Sequence, residues 1–198
     1  MKLEITCPDW LTEEIAEQRT GTPLIAPSEQ MAWVLALARR NVESETGGPF
    51  AAAVFELESG KLVAAGVNRV VPAQTSIAHA ETLALSLAQQ YLGTHNLAEK
   101  HLPAMGLVTS AQPCIQCFGN TWWSGVQSLA ISARASDVES ILGFHEGPLP
   151  SNWEKLLAER PYPLPNITVT TDLLREGGQN VLSLYKEQGG LVYNANAS

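Results

Sequence analysis

Four side chains in two short stretches of the sequence are of the types that bind zinc and move protons. His79 is followed two positions later by Glu81, and Pro113 precedes the pair Cys114 and Cys117. Cysteines three positions apart on a helix point to the same side, so both sulfurs can reach one metal ion. Two thiolates and one imidazole fill three positions of a tetrahedral zinc ion, and a catalytic site keeps the fourth for water. We therefore predict that His79, Cys114 and Cys117 bind one Zn²⁺ per chain.

Glu81 is placed to handle protons rather than to bind the metal. Side chains two positions apart on a regular helix point in nearly opposite directions, so His79 and Glu81 can face one cavity only where a helix begins. Zinc lowers the pKa of a bound water to about 7, which makes hydroxide available at neutral pH. Glu81 would take a proton from that water and pass it to a leaving nitrogen. The whole pattern, H-x-E followed by P-C-x-x-C, is the signature of zinc-dependent deaminases.

A Cys-x-x-Cys pair by itself is also typical of redox sites and of structural zinc sites. A closed structural site needs a fourth ligand, for which His95, His101 and His145 are available. That hypothesis, a catalytically silent zinc-binding module, leaves Glu81 beside His79 without a role.

Hydrophobic periodicity predicts the elements that must hold these residues in place. Helices are predicted over 28–45, 78–91, 114–123, 136–142, 151–160 and 171–186, and strands over 50–57, 62–67, 106–109, 126–131 and 167–170. Ser28 is the expected N-cap of the first of these helices. A hairpin followed by alternating helices and strands favours a mixed sheet covered by helices on both faces.

Length and composition indicate one domain with a full-sized core. The chain has 198 residues, of which 45% are apolar and 16% are charged. We expect a partly helical N-terminal arm over about 1–27 and a C-terminal tail over about 187–198.

Charge and cysteine usage limit the partners and the location. The net charge of −8 and the scattered Lys and Arg disfavour a nucleic-acid substrate and favour a small neutral or cationic one. No run of 18 apolar residues is present to span a membrane, and the first residues do not resemble a secretory signal. Three cysteines, a small and odd number, suit the cytoplasm.

At these residues the chain resembles the cytidine deaminase-like superfamily, and within it the small bacterial guanine deaminase branch. The resemblance extends from about residue 27 to the tail and is carried by residues 47–55, 64–69, 79–85, 109–114, 123–126 and 143–148. It implies a three-layer α/β/α sandwich with a mixed sheet and a homodimer that can exchange terminal segments. It also implies hydrolysis of a free nucleobase, guanine, to xanthine and ammonia.

The same resemblance implies which residues contact the base. Asn68 would bond the ring carbonyl or the N7 edge, Phe50 would pack on the purine ring, and His79 and Trp123 would line the pocket. Glu146 would bind N1–H and the exocyclic amine, because one carboxylate accepts two adjacent donors. Glu146 would also help to protonate the ammonia that leaves.

Two positions depart from the guanine deaminase branch. His145 stands where an acidic residue is usual, and Gln112 stands where a glutamate often precedes the Pro-Cys pair. Both differences remove a negative charge near the pocket, so other aminated rings stay open as substrates: an aminotriazine such as ammeline, a pterin, cytosine or cytidine. Adenosine in tRNA is a further alternative, which the acidic net charge disfavours. Tyr193, near the tail, is a candidate to reach a partner's pocket.

Overall fold

The computed structural model describes residues 3–194. A five-stranded mixed sheet lies between two layers of helices, so the predicted three-layer α/β/α sandwich is confirmed. In chain order the elements are α1 (Asp9–Thr20), α2 (Pro27–Glu43), β1 (Ala51–Glu56), β2 (Leu62–Val67), α3 (Val70–Ala73), α4 (Ala80–Leu92), β3 (Met105–Ala111), α5 (Ile115–Ser124), β4 (Ser128–Ala133), α6 (Ala135–Leu142), α7 (Trp153–Ala158), β5 (Thr168–Thr170) and α8 (Arg175–Glu187).

The directions of the strands bring several chain segments to one edge of the sheet, which is formed by the start of β1 and the ends of β2, β3 and β4. The strand order is β2-β1-β3-β4-β5, with β1 antiparallel to both neighbours and β3, β4 and β5 parallel to one another. Ala51 at the start of β1 pairs with Val67 at the end of β2, and Ala111 at the end of β3 pairs with Ala133 at the end of β4. The loops that leave this edge hold the predicted site residues, as is usual for open α/β sheets.

Strand β1 is buried on both faces because helices cover the sheet on both sides. Ala51, Ala53 and Phe55 pack in the apolar cluster shared with α2, α6 and α8. Ala52 and Val54 pack in the cluster on the other face, which α4 covers. The alternation follows from the two-residue period of a strand, and burial of both faces explains the uninterrupted apolar sequence.

Helix α4 lies close against β2 because Gly66 has no side chain. A Cβ at Gly66 would lie 2.6 Å from the carbonyl oxygen of Ala80 and from the amide nitrogen of Ala84. Such distances are far shorter than van der Waals contact. The glycine therefore lets the first turn of α4, which follows His79, reach the sheet edge.

The predicted N-cap of α2 is wrong. The helix begins at Pro27, whose missing N–H needs no partner in a first turn, rather than after Ser28. The backbone amide of Ala26 donates a hydrogen bond of 3.1 Å to the carboxylate of Glu29. The hydrogen bond at the start of the helix is therefore accepted by a side chain inside the helix, that of Glu29, and not by a hydroxyl group before it.

The predicted N-terminal arm contains a full helix, α1, that packs beside the edge strand β2. Nε of Arg19 donates a hydrogen bond of 3.0 Å to the carbonyl oxygen of Val63, and the guanidinium lies 3.7 Å from the ring centre of Tyr91. Within residues 3–194, none of the helices combines the length and the apolar character needed to cross a membrane.

Candidate active site

The three predicted metal ligands lie together. Nδ1 of His79 is 3.5 Å from Sγ of Cys114 and 3.4 Å from Sγ of Cys117, and the three ligand atoms all lie within 4.8 Å of one another. Zinc–sulfur and zinc–nitrogen bonds of about 2.3 and 2.0 Å at a tetrahedral angle would separate nitrogen and sulfur by about 3.5 Å. The spacing and the chemistry of these donors therefore fit one zinc ion.

All three ligands are held where a helix begins. His79 directly precedes α4 and Cys114 directly precedes α5, each with an extended backbone, and Cys117 lies in the first turn of α5. The positive end of the α5 dipole favours thiolates at this position. Hydrogen bonding from the Cys117 thiol lowers the pKa of Cys114 to about 4 in spite of burial. The lowered pKa favours the thiolate form of Cys114, which is the form that binds zinc.

The other histidines do not join this group. Within residues 3–194, the His, Cys, Asp and Glu side chains that could share a metal ion are His79, Cys114 and Cys117. His101 lies 3.4 Å from Glu99, and His145 lines the neighbouring cavity without belonging to the group. A set of three protein ligands is the arrangement of catalytic zinc sites.

Glu81 faces the metal-binding group from the first turn of α4. Its carboxyl group is buried, lines the same cavity as His79 and interacts with the Cys117 side chain. Burial raises the pKa of Glu81, and the negative charge of Cys114 raises it further. A carboxyl group with a raised pKa accepts a proton more readily than an ordinary carboxylate does, which suits a group that must carry protons.

A cavity of about 440 Å³ opens in front of these groups. This volume lies in the range of small-molecule sites. Its walls include six of the eight residues that the sequence analysis assigned to the site: Phe50, Asn68, His79, Glu81, Cys114 and Glu146. Cys117 is fully buried behind the cavity wall.

Trp123 does not reach the cavity of its own chain, so its predicted place in that wall is wrong. The side chain is 75% exposed. Trp123 lies six residues beyond Cys117 on α5, about 9 Å along the helix and about 240° around it. Because Cys117 points inward, this rotation carries Trp123 to the outer face.

Glu146 enters the cavity from the loop that follows α6. Its backbone carbonyl oxygen accepts a hydrogen bond of 3.2 Å from the amide of Ile115, which fixes the loop to the start of α5. Burial, followed by the negative charges of Cys114 and Glu81, raises the pKa of Glu146 to about 8. Two carboxyl groups thus face the metal-binding group from different elements.

Asn68 is held by a residue that sequence reasoning missed. Asn41 is fully buried in α2, and its Nδ2 donates hydrogen bonds to the carbonyl oxygens of Gly48 (2.8 Å) and Asn68 (3.0 Å). A Cβ at Gly47 would lie 1.9 Å from the carbonyl oxygen of Asn68, so this approach requires glycine. In the sequence, this role is indicated by a polar residue, Asn41, next to the apolar Val42 on the face of α2 that points into the core.

The tail closes one side of the cavity. The ring of Phe144 stacks edge-to-face with Tyr193 at 5.2 Å between centroids and lies 6.0 Å from Phe50. Nδ2 of Asn194 donates to the carbonyl oxygen of Gly143 (3.1 Å), and its Oδ1 accepts from the amide of His145 (2.8 Å). Within one chain Tyr193 therefore lines its own cavity.

Comparisons with known proteins agree with this geometry. Residues 26–133 match the family described as the cytidine and deoxycytidylate deaminase zinc-binding region. The chain belongs to this family. The guanine deaminase of Bacillus subtilis (strain 168) is 30% identical over 137 residues, which cover 69% of this chain and 83% of that protein.

Solved structures of deaminases are similar over nearly the whole chain. The guanine deaminase of Nitrosomonas europaea is 51% identical, with a TM-score of 0.85 over 94% of this chain and 97% of that one. The protein NE0047 bound to 2,6-diaminopurine is 52% identical, with a TM-score of 0.88 over 99% and 98% of the two chains. The predicted family and its resemblance to guanine deaminases are confirmed: this deaminase-family chain is a hydrolase that acts on C–N bonds.

The raised pKa of Glu146 predicts how the stability of the metal-free deaminase depends on pH. The folded carboxyl group keeps its proton up to about pH 8, whereas the ordinary value is 4.5. The folded state therefore binds more protons, and stability falls as pH rises between these values, by up to about 1.4 kcal/mol per pH unit for this group. Glu146→Gln should flatten the slope of unfolding free energy between pH 5 and about 8, measured by urea unfolding with a chelator present.

Glu58→Gln is the matched control, because it removes the same charge from an exposed turn. This variant should keep the slope of the wild type. Equal slopes in Glu146→Gln and the wild type would contradict the raised pKa.

Proposed function

We propose that the protein hydrolyses guanine to xanthine and ammonia, with one zinc ion per chain bound by His79, Cys114 and Cys117. The observation that carries the proposal is the approach of two carboxyl groups, from Glu81 and Glu146, to a three-ligand metal-binding group inside a cavity of small-molecule size. The guanine deaminases that are similar to this chain support the choice of substrate.

The cavity offers complementary contacts to a flat purine. Phe50 and Phe144 supply apolar ring surface, and the buried amide of Asn68 supplies a hydrogen bond to the ring carbonyl or the N7 edge. Glu146 accepts hydrogen bonds from N1–H and the exocyclic amine, which are neighbouring donors. A base with an acceptor at N1 would leave the carboxylate unsatisfied, which disfavours its binding.

Glu81 moves the protons of the reaction. Zinc at this site would lower the pKa of a water molecule to about 7 and so supply a nucleophile for the carbon that bears the amine. Glu81 takes a proton from the water and donates it to the ring nitrogen beside that carbon. It then takes the remaining proton from the hydroxyl group that has been added to the carbon and delivers it to the amine nitrogen. The C–N bond breaks, ammonia leaves, and the hydroxyl oxygen becomes the new carbonyl oxygen.

Binding of guanine changes the protonation state of Glu146. At neutral pH the carboxyl group of the metal-free cavity is protonated, because its pKa is raised to about 8. The two N–H donors of guanine favour the carboxylate form instead. Glu146 therefore releases its proton to solvent when guanine binds, and its carboxylate then orients the amine, to which Glu81 delivers the proton.

Gln112 and His145 make other aminated rings worth testing. Oε1 of Gln112 accepts a hydrogen bond of 3.3 Å from the amide of Ala135, so this side chain braces the start of α6 as well as lining the cavity. Neither side chain carries a negative charge, so both leave less negative charge around the ring than acids would. Ammeline, pterin, cytosine, cytidine and tRNA are the alternatives.

Ammonia release from each of these compounds tests the proposal. The zinc-loaded protein should release ammonia from guanine in preference to the others. Glu81→Ala should lower kcat by about 10²- to 10⁴-fold, because the proton transfers lose their carrier. Metal analysis should still find one zinc per chain in this variant, since Glu81 is not a ligand.

The outcomes separate the substrate from the mechanism. Absence of ammonia from guanine, with release from another ring, would overturn guanine as the substrate. Full activity in Glu81→Ala would overturn the proton-transfer role, whichever ring is used.

We infer in addition that the protein is a homodimer. Ile115 and Trp123 lie on the outward face of α5, about 80° apart around the helix, and are 54% and 75% exposed. Between them, a Cβ added at Gly119 would have no heavy atom within 4 Å, so the helix surface is open there. An apolar helix face of this kind is typical of an association surface. Trp123 would then contact the second copy rather than its own cavity.

Sedimentation velocity tests the dimer. The wild type should sediment as a dimer, and Trp123→Glu should shift the population to monomer, because the new charge would be buried in the interface. Tyr162→Glu is the matched control, since Tyr162 is a 98% exposed aromatic residue outside α5. A wild-type monomer, or a Trp123→Glu dimer as stable as the wild type, would contradict the inference.

We infer a cytoplasmic location from the cysteines. Cys7, Cys114 and Cys117 are all free thiols. The reducing conditions of the cytoplasm keep such thiols unpaired and available to a metal ion.

A further inference from the structure

Cys117 has a neighbour outside the metal-binding group. The hydroxyl oxygen of Thr82 lies 4.0 Å from Sγ of Cys117. Nδ2 of Asn120 in turn lies 2.7 Å from that hydroxyl oxygen. Thr82 belongs to α4 and Asn120 to α5, each three residues beyond a metal ligand. The contacts thus form a chain between the two helices that carry the ligands.

The chemistry of the three groups gives this chain a direction. An amide nitrogen can only donate a hydrogen bond, so the Thr82 oxygen is the acceptor from Asn120. The hydroxyl hydrogen of Thr82 is then left to point toward the sulfur. A thiolate is an acceptor only, and its large radius makes hydrogen bonds to sulfur longer than bonds to oxygen.

Cys117 is the ligand that most needs such a donor. Its side chain is fully buried, and the carboxyl group of Glu81 interacts with it. A thiolate at this position is removed from water and lies beside other negative groups, which makes it costly without compensation. Cys114, in contrast, receives a hydrogen bond from the backbone amide of Cys117.

We propose that Thr82, oriented by Asn120, is a positioning residue that donates a hydrogen bond to the Cys117 thiolate and thereby strengthens zinc binding. The inference rests on the zinc-binding role given under the proposed function. Groups that hydrogen-bond metal ligands typically change metal affinity by about 10- to 100-fold when they are removed. Thr82 also sets how much charge the sulfur donates to the metal, because a hydrogen bond stabilises the sulfur lone pairs.

Thr82→Val tests the proposal, because valine keeps the shape of threonine and lacks the hydroxyl. Competition with a chelator should show zinc binding that is about 10- to 100-fold weaker than in the wild type. In the Co²⁺-substituted protein, the sulfur-to-cobalt charge-transfer band should move to longer wavelength, because the sulfur electrons are no longer stabilised. Thr82→Ser should restore both properties, and Asn120→Ala should shift both in the direction of valine by a smaller amount.

Thr121→Val is the matched control. Thr121 is fully buried on α5, and its hydroxyl donates a hydrogen bond of 2.8 Å to the backbone carbonyl oxygen of Cys117 rather than to the sulfur. This variant should leave the charge-transfer band at the wild-type wavelength. A band shift of the same size in Thr121→Val would show that any lost buried hydroxyl has this effect, and would overturn the role of Thr82.

The remaining outcomes separate this inference from the proposed function. A Thr82→Val protein with wild-type zinc affinity and an unmoved band would overturn the inference alone. Thr82→Ser behaving like Thr82→Val would do the same. A wild-type protein that binds no zinc would overturn the zinc-dependent function and the inference together.

Discussion

The site depends on one constraint: two helices must begin at the same point on the edge of the sheet. His79 ends the segment before α4, Cys114 ends the segment after β3, and their side chains meet only because both backbones are still extended there. Gly66 allows α4 to lie close enough to β2 for this meeting. The same arrangement turns Glu81 toward the ligands, although it is only two positions from His79. Ligand geometry and proton transfer therefore have a common origin in where α4 starts.

The chemistry of the site was predictable from the sequence because its signals are local. The spacing of the cysteines, the Pro before them and the H-x-E stretch each specify a short piece of backbone, and the strands around them are apolar runs that leave little choice of structure. The mixed sheet followed from the hairpin and the alternating elements. Helix starts were less predictable. At the start of α2, the backbone amide of Ala26 bonds to Glu29 inside the helix, whereas Ser28 was the expected cap.

Side-chain positions that depend on packing between elements could not be predicted from the sequence. Trp123 was expected in the cavity wall, but the rotation of α5 turns it outward. Asn41 is distant in sequence from Asn68, and no pattern connects them until α2 packs on the sheet. Thr82 and Asn120 are ordinary helix residues until their contact with each other and with Cys117 is seen. These residues position the groups that react, and positions of this kind are set by packing between elements.

The account requires a zinc ion with two thiolates, one imidazole and a fourth position free of protein. X-ray absorption at the zinc edge of the purified protein measures this directly. We predict two sulfur atoms at about 2.3 Å and the scattering of a single imidazole at about 2.0 Å, completed by one oxygen atom. A second imidazole, or more than two sulfurs, would show a closed structural site and would contradict the catalytic interpretation.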